Sequence, residues 1–423
     1  MQTRLCDAAG AAADGVPDFL ECAAYDLADP ALPAQLVDGV VDDCLTGGVG
    51  RLWERGWQPL DVAEFASRRL SAPARQLVLD VTAHQAARYS RATLDPRWRS
   101  QLEELGTSPH WATDGAHLTR WASRRRLDRV ETIGLALAAL TFLYAAPRLA
   151  QVLPPPGRSG AAGRVGAAGA GERLRRDEAG EKVLHRIRAL LAKAESTEFP
   201  EEAEALSSKA QALMTKFSLD QAMLAANSAK SSAGACRAAG AHASVRRVWL
   251  RAPYLNAKAL LASVVAKANR AQAVSDTHTG HVTIVGAEAD LSLVELLVTS
   301  LLLQADRAML AASPSAGAGG HSRTRSWRQS FLVSYATRIG QRLTEASEAS
   351  MAEYDAGHPG TSARLLPALT AREHAVQKLV AELFPRIRKS AVSTSNPAGW
   401  EAGKRAADLA DLGARRGVGR AAS

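Results

Sequence analysis

At 423 residues the chain exceeds what one ordinary hydrophobic core organises, and an apolar share of 47% with 22% charged residues excludes a wholly disordered protein. Four scattered cysteines, Cys6, Cys22, Cys44 and Cys236, exclude a dense disulfide framework and point to reduced thiols in a cytoplasm. Charge is uneven: residues 1–50 hold nine acids against one base, Arg4, and because the whole chain is +9 the remainder carries +17.

The basic remainder suits an anionic partner such as nucleic acid, or reflects only an arginine-rich, soluble surface. Abundant alanine with 5% aromatics favours helix, because alanine loses no side-chain entropy there. The N-terminus has no basic stretch followed by an apolar core, so no secretory signal is expected.

Residues 1–39 read as an acidic, flexible head, and residues 40–153 as a helical bundle domain. Within that domain Val40–Arg55 is a helix, stopped by Gly56 and followed by the turn Trp57-Gln58-Pro59. Leu60–Leu70 resumes the pattern with Val62, Phe65 and Ala66 on one side, and Pro73–Tyr89 continues it. Asp95-Pro96 places a cap before a first-turn proline and opens Arg97–Leu105. Arg120–Ala150 is one further helical run. Its uncharged stretch Thr132–Pro147 is shorter than the ~20 residues of a membrane span and is expected to be a buried core helix.

Pro154–Gly180 is rich in proline, glycine and alanine, the composition of a flexible linker. In 181–225 two helices form an antiparallel hairpin. The first puts Leu184, Ile187, Leu190, Leu191 and Ala194 on one face and Lys182, Arg186 and Lys193 on the other. The second, opened by Pro200, carries Ala203, Leu206, Ala210, Leu213, Met214 and Phe217. Residues 226–247 read as a second linker.

Residues 248–412 are expected to form an α+β domain. It comprises a helix at Asn256–Arg270 and one small β-hairpin (Gln272–Ser275, His281–Val285). A long helix capped by Asp290 runs to Leu310, and further helices lie at Phe331–Ala346, Thr370–Phe384 and Trp400–Leu412. Residues 413–423 are a disordered tail. The fold class is therefore mostly α: an N-terminal bundle, a central helical hairpin and a C-terminal α+β domain.

Lys182–Asp220 resembles a bacterial and phage family known as domain of unknown function 2786. The phrases LLAKAEST (Leu190–Thr197), FPEEAEA (Phe199–Ala205) and KAQALM (Lys209–Met214) carry the resemblance. Val285–Ala305 and Arg323–Leu343 resemble the domain that follows this hairpin in actinobacterial members, and LWERGWQPLD (Leu52–Asp61) is similar to actinobacterial sequences. The resemblance implies a helical hairpin in a cytoplasmic bacterial protein. It supplies no catalytic residues, and its occurrence in phages tilts expectation towards nucleic acid.

No cofactor or metal is expected. His278 and His281 stand at H-x-x-H spacing with His242, Cys236 and His321 in nearby loops, but HExxH and paired CxxC are absent. No GxSxG elbow, phosphate-binding glycine loop or acid–base pair is found, so binding is expected rather than catalysis. Gln304 falls on the apolar stripe of its helix and should have a hydrogen-bonding partner.

The arginine segment is the leading candidate. No acid lies between Asp306 and Glu345, whereas Arg307, Arg323, Arg325, Arg328, Arg338 and Arg342 do, with Trp327 and Tyr335 interleaved. Arginines ahead of a helix suit phosphates, and an aromatic suits a base. The competing reading has Arg338 and Arg342 at the edge of the stripe Phe331, Tyr335 and Ile339, paired with Glu345. Lys182, Arg186 and Lys193 form the second candidate surface. The function expected is a non-enzymatic binding module associated with nucleic acid, the alternative a protein-interaction scaffold.

Overall fold

The structure, a computed structural model, describes residues 17–106, 117–157, 181–193, 209–210, 212–223, 243–312, 320–357, 362–388 and 391–409. The chain is mostly α-helical with a three-stranded antiparallel sheet, and it divides into two compact units, Met1–Gly166 and Ala167–Ser423. Residues 1–16, most of both expected linkers (158–180 and 226–242) and the expected tail 413–423 lie outside the described residues.

The first unit contains α1 (Pro17–Ala28), α2 (Ala34–Glu54), α3 (Pro59–Arg69), α4 (Ala72–Ala87), α5 (Pro96–Glu104), α6 (His117–Arg125) and α7 (Arg129–Ala145). The chain is thus helical from Pro17, where a flexible head was expected, and α1 packs on α7 with Ala24 buried. The acids of this region conceal the pattern, yet Asp38 and Asp42 of α2 point inward. Asp38 accepts hydrogen bonds from Thr119 and Arg129, and Asp42 is half-buried, its carboxylate oxygens shielded near the start of α6.

Helix α7 is the middle of the bundle and contacts α1, α2, α4 and α6. Its all-round apolar character follows, with Ile133, Ala136, Leu137, Leu140 and Leu143 buried. Among the described residues no helix is long and apolar enough to cross a membrane. The expected single run from Arg120 is two helices. Arg126 turns left-handed (φ 57°), Leu127 N–H returns to Ala122 O, and the Asp128 carboxylate caps α7 at Glu131 N–H.

The phrase Leu52–Asp61 grips the C-terminal end of α7. Arg55 donates to the carbonyls of Tyr144 and Ala146, and Trp57 Nε1 donates to Pro147 O at 2.8 Å. These satisfy carbonyls that a helix end leaves free. Gly56 has φ 87°, and a Cβ there would collide with Leu149 O. Gln58 and Asp61 then form a reciprocal capping box that starts α3 with Pro59 at its first position.

The second unit contains the hairpin helices α8 (181–193) and α9 (212–223, preceded by helical 209–210), then β1 (Ala243–Trp249) and α10 (Leu255–Ala268). Strands β2 (Gln272–Asp276) and β3 (His281–Ala287) follow. The remaining helices are α11 (Glu288–Ala311), α12 (Gly320–Gly357), α13 (Ser362–Leu383) and α14 (Pro397–Leu409). Ile187 and Leu191 of α8, with Met214 of α9, join the core around Val282, Ile284, Val298, Phe331 and Ile339.

The expected lone β-hairpin is one strand short. β1 pairs with β3 from Ala243↔Ala287 to Trp249↔His281, giving the order β1-β3-β2. Two arginines mask its pattern, although Val245 and Val248 are buried. Arg246 is balanced by Glu288 and Glu295 of α11. Helix α13 contacts all three strands, so the sheet is covered and β3 is buried almost throughout.

Helix α12 is central and packs against α10 and α14. Gly399 and Gly403 let the α14 backbone lie directly against the Trp327 and Phe331 carbonyls, and Gly340 meets Val264 of α10 in the same way. The N-cap of α11 is Ala287 rather than Asp290, which sits buried in the first turn. Gln304 is half-buried and donates to Ser300 Oγ at 3.3 Å, so its partner is a side chain one turn away.

Two outcomes follow for the first unit. Gly56→Ala should lower its unfolding free energy by at least about 2 kcal/mol in denaturant titration, from the positive φ and the carbonyl clash together. Burial, with Asp38 close by, pushes the Asp42 carboxyl up to about 7; the N–H groups of His117 and Leu118 oppose this only partly. The folded state therefore holds that proton more tightly than the unfolded chain. The stability it contributes is full below about pH 4 and is lost as pH rises through about 7. Asp42→Asn should raise stability by roughly 1–3 kcal/mol at pH 8 and change little at pH 4.

Candidate nucleic-acid interface

The arginine segment does not form one surface. Helix α12 is enclosed by its neighbours from Trp327 to Leu343, so consecutive arginines point into different environments. Arg342 is buried and donates to Ala407 O. Arg338 is held by Asp408, with Glu345 3.9 Å away. Both are tied to α12 and α14, close to the competing reading, although the principal carboxylate is Asp408. Trp327 and Tyr335 are 6% and 0% exposed, which removes them as base-stacking platforms. Arg325 and Arg307 are exposed and Arg328 is half-buried, its Nε without a partner. The Arg323 side chain lies outside the described residues.

The other candidate surface is open. Lys182, Arg186 and Lys193 are all exposed on α8, opposite the buried Ile187 and Leu191. Arg188 is exposed on the same helix, and Lys209 and Lys216 are exposed at a seven-residue spacing on the second hairpin helix. Lys182, Arg186, Arg188, Lys209 and Lys216 form no ion pair among the described residues, and Glu181 is the one acid on α8. Lys209 and Lys216, seven residues apart, were legible as polar positions of one helical period, whereas Arg188 stands on another side of α8 from Lys182 and Arg186.

One polar junction escaped sequence reading altogether. Ser218 Oγ donates to Asp290 Oδ2 at 3.1 Å, while Arg372 Nη1 donates to Ser218 O at 3.3 Å and lies 4.0 Å from the same carboxylate oxygen. Nearby, Tyr354 OH donates to Asp220 Oδ1, and Arg270 rests on Met351 Sδ at 3.7 Å. Burial raises the Asp290 carboxyl against the pull of Arg372, Ser218 and Arg270, and burial lowers both guanidiniums. The adjoining cavity, lined by Thr215, Asn269 and Ser347 among others, has room for about one water. Ser218 and Arg372 are 154 residues apart, beyond any local pattern. This junction and the small core of Leu219, Ala222, Leu365 and Leu369 bind α9 to α13.

The histidines do not converge. His281 is buried at the start of β3, with its ring nitrogen 2.6 Å from Thr279 Oγ1 and Trp249 alongside. His278 is exposed, and Cys236, His242 and the His321 side chain are outside the described residues. Among the described residues no group of three or more His, Cys, Asp or Glu side chains could hold a metal ion.

Fold and site thus define a class: a helical protein of two units, the second displaying a docked helical hairpin with a basic outer face. Residues 182–221 match the family model described as protein of unknown function (DUF2786). No curated protein and no solved structure matches the chain.

The hairpin faces are checked by a pair of substitutions. Met214→Ala should cost about 2–5 kcal/mol in chemical unfolding, whereas Lys216→Ala should stay within about 0.5 kcal/mol. Equal, small effects would mean that α9 is turned the other way.

Proposed function

We propose that the second unit is a non-enzymatic module that binds nucleic acid through phosphate contacts made by the hairpin. The observation that carries this reading is the outer face of α8, where Lys182 and Arg186 project to solvent and Glu181 is the one acid among the described residues of the helix. Exposed cations without a competing carboxylate are free to displace counterions from a phosphate backbone, which is the main source of sequence-independent affinity. Arg325, exposed on α12, and the half-buried Arg328 are further candidate phosphate contacts. Free thiols at Cys22 and Cys44 suit action in the cytoplasm of a bacterium.

A second reading, a protein-interaction scaffold, is favoured by Leu303 and Leu310, which are exposed seven residues apart on α11. Nucleic-acid binding distinguishes the two. The full chain should bind labelled single- or double-stranded DNA or RNA at low salt, with affinity falling steeply as salt rises. Replacing Lys182, Arg186 and Lys193 together by Ala should reduce the log–log salt slope by about 2–3, roughly one per lost phosphate contact. Arg325→Ala with Arg328→Ala should reduce it further. Absence of binding by the unaltered chain at low salt, with the fold intact by circular dichroism, would leave the scaffold reading in its place.

A further inference from the structure

We propose that the groove between α4 and α5 of the first unit binds a small, planar organic carboxylate. The groove is open on one side and offers about 490 Å³, within the roughly 300–1,000 Å³ of ligand sites. One wall is the C-terminal part of α4, where Ala83, Ala86 and Ala87 fall at i, i+3 and i+4, Ala87 exposed and the nearly buried Ala83 and Ala86 showing only the edge of a methyl group. Such a wall is flat, and it suits the face of a ring better than a branched chain. Leu94 and Leu102 add to the apolar lining. The Tyr89 ring closes one end, backed by Gly157, whose missing side chain leaves the ring room (a Cβ would lie 3.3 Å from it).

The polar contribution comes from Arg99. It is half-buried in this apolar lining, its Nε is shielded from solvent, and it makes no hydrogen bond or ion pair among the described residues. An acid stands one turn along α5, yet Glu103 turns to the rim and pairs with Arg91 at 3.0 Å. A guanidinium that is partly desolvated and passed over by its neighbouring acid is a vacant partner for an anion. Its planar fork matches a carboxylate, and a flat ring attached to that carboxylate would lie along the alanine wall. The charge of the site selects against neutral and cationic compounds.

The probe is 1-naphthoate, compared with its neutral isostere 1-naphthamide, titrated calorimetrically into the full chain. Naphthoate should bind saturably and at least tenfold more tightly than the amide. Arg99→Met should remove that preference by weakening naphthoate tenfold or more while leaving the amide unchanged. Ala86→Leu, which fills the groove, should weaken both. Should Ala86→Leu impair folding, as judged by its thermal transition, the Arg99→Met comparison decides alone. Failure of naphthoate to bind, equal affinity for the two probes, or binding insensitive to Arg99→Met overturns the proposal.

Discussion

Close approach of helix backbones is the constraint on which both units depend. With 5% aromatics and a large share of alanine, few side chains can span a gap between helices. Contact density must come from axes lying near one another, because dispersion falls off within an ångström of the optimum. Small residues therefore stand at the crossings. Gly48 of α2 admits Leu143 of α7, Gly340 of α12 admits Val264 of α10, and Gly399 and Gly403 seat α14 on α12. The few large rings are concentrated where they fill most volume: Trp53 packs edge-on to Trp98 at 4.9 Å, and Trp327, Phe331 and Tyr335 form a stacked row inside the second unit.

Close packing also sorts the charges. Where helices touch, a long cation must lie along the seam and find a carbonyl or carboxylate, as Arg55, Arg338, Arg342 and Lys258 do. Where a helix has one covered side only, as α8 has, its cations remain in water. The same residue type thus serves as a structural clamp or as an open charge according to how many neighbours its helix has. A net positive charge by itself distinguishes nothing between these roles.

Local signals carried the helix ends into view. Gly56 as a stop, Asp95-Pro96 as a start and the apolar stripes of α3 and the hairpin all follow from chemistry within a few residues. Non-local pairing did not show. β1 carries two adjacent arginines, and the acids that balance Arg246 lie on α11, so its strand character appears only once Glu288 and Glu295 are beside it. The arginine segment misled for a related reason. An acid-free run states composition, whereas exposure depends on which helices flank it, and Trp327 lies under α14, more than sixty residues later in the chain. For the hairpin, one apolar stripe left one possible outer face, and its cations were correspondingly legible.

The junction of Ser218, Asp290 and Arg372 has a consequence for how the hairpin can evolve. The family match ends at residue 221, but the carboxylate and guanidinium that complete the contact belong to α11 and α13. A hairpin transplanted into another protein would arrive without its electrostatic counterparts. Loss of Arg372 alone would strand a buried acid, whereas exchange of all three positions for apolar groups of similar volume could be tolerated. The structural unit that holds the hairpin in place is thus larger than the matched segment.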